Sequence, residues 1–260
     1  MRKKDKLAGI ITEVNFALPK TVQSIDTVVS NLIVFLDILL TPIKMFKEYS
    51  NYKFELFKRN LQKKINRIPD DQRKDNLELN IVGPACENLK YLIFNDELGE
   101  MFENLLASSL NKNNIVFPGF VDIIRQLNSD EAKLLKYIAH NGTEYPLIDL
   151  RYVDKANGEY IVPVMNYTNI GNDICEKPEL ITAYLNDLER FGLITIPFGE
   201  AIFGDGLYSD LESDPFIQSE KEISHGEIKN GFYKIHKKSF EVTRYGTEFL
   251  KSCVLSTSNE

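Results

Sequence analysis

Cysteine and histidine are scarce, three of each in 260 residues. Cys86, Cys175 and Cys253 form no CxxC pair and have no neighbouring His to complete a tetrahedral zinc set, so they read as reduced, partly buried thiols. His140, His225 and His236 lie far apart and fall into no HxxxH, HExxH or Cys-His spacing, which removes support for a metal site or a Cys-His nucleophile. The glycines make neither a Walker A loop nor a GxGxxG fingerprint, and Gly204-Asp205-Gly206 reads as a turn. The start, MRKKDKLAGIITEV, is basic but lacks a continuous apolar core of signal-peptide length. These absences favour a cytoplasmic protein with no metal, no cofactor and no catalytic residue to name. Carboxylates are plentiful, as in Asp96, Glu97, Glu100 and Glu103, and pairs at helical spacing suit acid–base or magnesium chemistry in principle. Acidic runs of this kind are more often solvated faces, and that is the expectation here.

What is present is a globular composition, 43% apolar and 27% charged. Charge is unevenly spread: residues 1–75 hold 15 Lys or Arg against 9 Asp or Glu, and the remainder 16 against 29. The most apolar stretch is Val22–Met45, but Gln23, Asp26, Asn31 and Asp37 interrupt it, and a central Asp costs roughly 2.5–3.5 kcal/mol in a bilayer. Asp26 and Asp37 are three helical turns apart and leave the opposite face to Val29, Ile33, Leu36 and Leu40, the pattern of a core helix. An amphipathic helix lying on a membrane is the alternative. Pro42 suits a first-turn or kink position, and a second helix is expected from Ile43 through Ile68, its outer face carrying Lys47, Lys53, Lys58, Arg59, Lys63 and Lys64.

The polar segment IPDDQRKDNLELNIVGPA reads as a connection, with Gly83 and Pro84 starting the next helix. Asn95 is placed to cap a helix ending near Leu110, Pro118 to start another, and Asn128 with Glu131 to form a capping box for a helix over Ser129–His140 stopped by Asn141-Gly142. Beyond it, strands fit Leu147–Val153 and Glu159–Val164 around Asn157-Gly158, as an inserted hairpin would. Pro178 opens a helix to Phe191-Gly192, a strand follows at Leu193–Pro197, an extended, acidic, turn-rich insertion spans 198–231, and a return strand at Tyr233–Val242 leads through Thr243-Arg-Tyr-Gly246 to a helix at Thr247–Ser252.

Helix, strand, loop, strand and closing helix, in that order, are how winged-helix domains end. The expected fold is therefore mainly α: a helical hairpin over 1–75, a central helical segment over 76–127, a winged-helix-like α+β domain over 128–253 with a long acidic wing insertion, and a tail over 254–260. Duplex DNA is a poor match for that domain. The exposed side of its second helix offers Glu176, Lys177, Glu179, Asn186, Asp187, Glu189 and Arg190, and the wing is acidic, so both oppose phosphates. Protein contact suits such a surface better.

IVGPA near Ile81, NDELGEMFENLLASS at Asn95–Ser109, FPGFVDIIRQLNSDEAK at Phe117–Lys133 and YLNDLERFGLI at Tyr184–Ile194 together resemble the abortive infection alpha (Abi-alpha) family over roughly Val22–Cys253. Residues carrying the likeness are Gly83, Pro84, Leu105, Leu106, Ala107, Pro118, Phe120, Ile124, Leu127, Glu131, Leu188, Arg190, Gly192 and Leu193, mostly structural types. The resemblance implies bacterial anti-phage defence of the abortive-infection type and brings no catalytic mechanism. Where the family commonly has His before Pro-x-Phe, this chain has Phe117, which favours a structural role for that block. The expectation is a non-enzymatic protein that meets a protein partner, a phage-derived one included, with nucleic acid disfavoured; peripheral membrane contact through the N-terminal helices, or DNA binding by the winged helix, are the alternatives.

Overall fold

The computed structural model describes residues 25–44, 48–204, 206–223 and 231–255. The basic start, Val22–Ser24, Met45–Lys47, Asp205, His225 and the tail from residue 256 lie outside the described residues, as do the side chains of Asp26 and Leu40.

Helix α1 (Ile25–Lys44) buries Val28, Val29, Leu32, Phe35 and Leu36, steps of three and four that make one helical face. Asp37 lies off that face, 3.2 Å from Lys58 of α2 (Glu48–Asn66). Of the first-turn and kink positions expected for Pro42, the first-turn position is not observed: α1 runs on through Thr41 and Pro42, so Ile43 belongs to α1. The missing proline N–H leaves only the Ile38 carbonyl without its helical donor, and at a last turn beside a 42% exposed residue water can replace it. In α2, Phe54, Phe57, Leu61 and Ile65 are buried.

Helix α3 (Leu79–Leu92) likewise starts a turn earlier than Gly83-Pro84 suggested, and Pro84 sits inside it. Burying Ile81 and Val82 completely draws that extra turn into the helix, while Pro84 and Asn80 face solvent. The central helix is α4 (Asp96–Ser109), in which every residue from Leu98 to Ser109 except Glu100 is buried. Its N-cap is as expected, with the Asn95 side chain accepting from the Leu98 N–H at 3.0 Å. Next come α5 (Gly119–Gln126), entered through Pro118, and α6 (Ser129–Asn141), where the Asn128/Glu131 capping box is complete and Gly142, at φ 140°, ends the helix.

Four strands form one antiparallel sheet in the order β2-β1-β4-β3: β1 (Glu144–Asp154), β2 (Tyr160–Tyr167), β3 (Ile194–Thr195) and β4 (Gly231–Val242). β1 and β4 pair along their whole length, from Glu144 opposite Glu241 to Asp154 opposite Gly231. Edge strand β2 carries Pro163, and the very short β3 on the other edge is soon followed by Pro197. Between β2 and β3, a 3-10 turn at Pro178–Leu180 leads into α7 (Ile181–Arg190).

The stretch after β3 is not the extended insertion expected. It folds into α8 (Ser209–Ser213) and α9 (Pro215–Lys221), the latter capped by Asp214, whose side chain accepts from the Phe216 N–H at 2.9 Å. Tyr208, Leu211 and Ile217 cover Ile148, Leu150, Val164 and Tyr167 on one face of the sheet, a small apolar cluster of its own. The closing helix α10 (Arg244–Phe249) starts three residues earlier than expected and continues as a π-helical turn, Leu250–Val254.

The main apolar cluster runs from Val28 to Val254 and joins every large helix to the root of the sheet. Phe120, Tyr245 and Phe249 form an aromatic group in it that the exposed Phe117 extends outward, with ring centroids 5.1–5.4 Å apart. Gly192, at φ 72°, turns the chain from α7 into β3. Directly afterwards the Leu193 carbonyl lies against Gly246, where an added Cβ would fall 1.9 Å from that oxygen.

Gly246→Ala therefore forces backbone apart and is expected to destabilise the protein by about 3 kcal/mol or more. Gly83→Ala, in an open helical position with nothing within 4 Å of the new methyl, should instead stabilise by about 0.5–1 kcal/mol. Urea denaturation of the two variants checks both signs.

Candidate functional site

A cleft of about 610 Å³ runs between α2 and α4, and most of the charged chemistry of the helical half converges on it. Its floor is Lys64, only 8% exposed because Leu61 and Ile65 on either side are in the core. The Lys64 ammonium donates to Asn104 Oδ1 at 2.6 Å and lies 3.4 Å from Glu103 and 3.7 Å from Glu100. Asn60 Nδ2 donates to Glu103 at 3.2 Å, and Lys136 of α6 reaches the other Glu100 oxygen at 2.9 Å. Asn104 turns its Nδ2 the other way, donating to the carbonyls of Cys253 and Val254, both at 3.1 Å. A ladder of polar groups thus ties α2, α4, α6 and the end of the chain together.

The solvated-face expectation for the acids of α4 fails at Glu103, which is 6% exposed. Spacing explains the division. Asp96 and Glu97 occupy the first turn, where the positive end of the helix favours them, and Asp96 pairs with Lys53. Glu100 and Glu103, three residues apart, share the side that α2 covers. Burial pushes the Glu103 carboxyl up despite Lys64 and Asn60. For Glu100 burial acts in the same direction, but Lys136 and Lys64 overcome it and hold the carboxyl low. The donors and acceptors of the floor are spent on one another.

A second polar centre joins α6 to the segment before α7. Asp130, 6% exposed, accepts from the Glu176 N–H at 2.8 Å, the Lys177 N–H at 3.0 Å and the Tyr184 hydroxyl at 3.1 Å, with Lys133 at 3.4 Å. Burial alone would raise this carboxyl, yet the two backbone donors, Tyr184 and Lys133 together hold it below the usual range. Its neighbour Glu131 is shifted up, first by burial and then by Asp187, against the pull of Arg190.

The residues that carried the family likeness sit largely in packing roles. Leu105, Leu106, Ala107, Phe120, Ile124, Leu127, Leu188 and Leu193 are buried. Gly83 and Pro84 lie within α3, Pro118 caps α5, and Gly192 makes its turn. Glu131 and Arg190 meet electrostatically across the α6–α7 contact, and Arg190 also bonds Asp187 at 3.1 Å and lies over Phe191. The likeness did not point to Asn60, Lys64, Asn104 and Asp130: they are joined across about 40 to 150 positions of sequence, which local pattern cannot show.

The cysteines offer no ready thiolate. Burial pushes Cys86 and Cys253 well up, and Cys175, with Asp130 adding to burial, up to about 11. Among the described residues no group of three or more His, Cys, Asp or Glu is arranged to hold a metal ion. A second hollow, about 700 Å³, opens between β2, α7 and α9 and is lined by Pro163, Met165, Tyr167, Thr182 and Phe216. Between β3 and α8, Phe198 and Phe203 project fully into solvent.

Comparison with known protein families gives the class to which the chain belongs. The abortive infection alpha pattern matches residues 50–253, and the chain belongs to that family. No curated protein matches. Among solved structures, the chain is similar to an uncharacterized protein from the hydrocarbon-degrading marine bacterium Alcanivorax borkumensis SK2, at 21% identity and a TM-score of 0.35, over 50% of this chain and 88% of that one.

Two outcomes test the polar centres. Lys64→Met leaves Glu103 buried without its cation and should cost about 3–5 kcal/mol in chemical denaturation. For Asp130 the folded carboxyl titrates below the unfolded one, so its stabilisation is complete above about pH 4 and is lost as pH falls through the folded value. Asp130→Asn should lower stability by about 2 kcal/mol at neutral pH, and the gap from the parent protein should shrink as melts are recorded at lower pH.

Proposed function

We propose that this protein serves anti-phage defence of the abortive-infection type in the bacterial cytoplasm by gripping a partner protein, without catalysing a reaction. Family membership supplies the setting. The observation that carries the mode of action is the loop after β3, in which Phe198 and Phe203 are both fully exposed. Its backbone is anchored: the Glu200 carbonyl accepts from the Ser239 N–H at 3.1 Å, and the Ile202 N–H donates at 2.9 Å to the Tyr208 hydroxyl, itself bonded to the Lys238 carbonyl at 2.8 Å. Two rings held out on a fixed backbone forgo about 2 kcal/mol each of burial, which a partner pocket would restore. Aromatic anchors of this kind dominate binding energy at protein interfaces.

In this proposal residues 128–253 act as a winged-helix-like scaffold, with α6 and α7 as its packed helices and β3–β4 as its ribbon, and with the aromatic loop in place of a DNA-reading wing. Supporting it are the Tyr184–Asp130 bond and the pairing of Ile194 with Val242. The mutual pairing of the cleft's lysine and carboxylates supports binding over catalysis. Peripheral membrane contact is the competing proposal, favoured by Val34 and Ile38, 53% and 42% exposed on α1. No helix among the described residues is long and apolar enough to cross a membrane.

Replacing both Phe198 and Phe203 by Ala should abolish protection in a plaque assay while leaving the fold within about 0.5 kcal/mol of the parent. Full protection by the double variant would refute the loop's role. Flotation of the parent protein with anionic liposomes, lost on Val34→Ser/Ile38→Ser substitution, would favour the membrane alternative.

A further inference from the structure

α8 and α9 cover one face of the β2–β1–β4 ribbon, and the register assigns a different set of residues to the other. The helical core covers that face at Tyr145 and Leu147; beyond them Asp149 stands opposite His236, Arg151 opposite Lys234 and Val153 opposite Phe232, with Lys238 opposite Leu147. Tyr160 of β2 is opposite Val153, and the Arg151 guanidinium lies 4.6 Å from its ring centre. Between Asp149 and the outer end of the ribbon, the β1 and β4 positions on this face include one acid, Asp149. It is 4% exposed and enclosed by the Asn166 N–H at 2.9 Å, Lys238 at 3.4 Å and Arg151 at 3.9 Å.

Among the described residues the cations here outnumber the acids. Arg151 and Lys234 face each other directly across the strands, an arrangement that repels. The Arg151 Nε is buried without an acceptor. His236 is held below its ordinary pKa by burial and by Arg151, against Asp149, with Lys238 and Lys234 adding to the effect, as a positive local field requires. Flanking the cations are Tyr160, 51% exposed, and Phe232, 44% exposed, two strand spacings or about 10 Å apart across the end of the ribbon. Lys234 and Lys238, four residues apart along β4, are about 13 Å apart.

We infer that this face binds single-stranded nucleic acid, its phosphates set against Lys234 and Arg151 and its bases stacked on Tyr160 and Phe232. A row of cations alone would suit any polyanion. Exposed rings beside them on a sheet are what single strands use, because every base offers a π face and a flexible backbone can follow the strands. Duplex is a different matter: the acidic outer side of α7 lies elsewhere on the chain, and stacking platforms need unpaired bases.

Fluorescence anisotropy of the full chain with labelled oligo-U and oligo-dT, each about 20 nucleotides long, tests this. Binding is expected at low salt and should weaken as salt rises. Lys234→Glu should weaken it about tenfold or more, and Phe232→Ala/Tyr160→Ala about tenfold, while Arg244→Glu, a charge reversal off this face, should leave it unchanged. Lys234 and Phe232 are exposed, so melting curves should overlay; if the glutamate perturbs β4, Lys234→Gln replaces it. Absence of binding at low salt overturns the inference, as does binding indifferent to the face variants or equally weakened by Arg244→Glu. Binding to phosphatidylserine vesicles that Lys234→Glu abolishes, with neither oligonucleotide bound, would overturn it in favour of a lipid surface.

Discussion

The approach of two backbones at Leu193 and Gly246 governs how the two ends of the fold meet. Thr243 organises it. Its N–H donates to the Leu193 carbonyl at 3.0 Å, its hydroxyl to the Gly192 carbonyl at 2.6 Å, and the same hydroxyl accepts from the Gly246 N–H at 2.8 Å. One side chain therefore ends β4, caps α10 and fixes the α7–β3 turn. With α10 seated there, Phe249 reaches Phe120, and the following turn reaches the Asn104 amide. Sheet, α5 and central helix are thus held in one arrangement by a contact that only glycine permits.

From that contact the polar ladder runs inward: Asn104 to Lys64, Lys64 to Glu103 and Glu100, Glu100 to Lys136. A buried lysine is costly unless its donors are met, and here three acceptors on α4 meet them. Such a network contributes more to which helices neighbour one another than to net stability. The aromatic loop after β3 and the outer part of the ribbon lie outside this network.

Much of the helical architecture was legible in the sequence because caps and apolar steps are local. Asn95, Pro118 and the Asn128/Glu131 pair each mark a boundary found in the structure, whereas Thr243–Gly246, expected as a turn ahead of the last helix, is that helix's N-cap and first turn. Both Pro42 and Pro84 lie inside helices, and at Pro84 burial of Ile81 and Val82 in the preceding turn outweighs one lost backbone bond. α8 and α9 escaped notice because their apolar residues, Tyr208, Leu211 and Ile217, are sparse among acids, although Asp214-Pro215 is a helix-start signal. The α2–α4 cleft was illegible in a stronger sense. Glu103 looks like any surface acid until α2 is laid across it.

The blunted rims of the sheet set a limit on self-association. Strand-by-strand growth into fibres requires a free row of amide donors, and Pro163 interrupts that row on β2, while β3 offers two residues before the chain departs toward Pro197. Copies of this chain cannot readily extend one another's sheets. Crowding many of them into a small volume should leave side-chain contacts, and not cross-β stacking, as the route by which they associate.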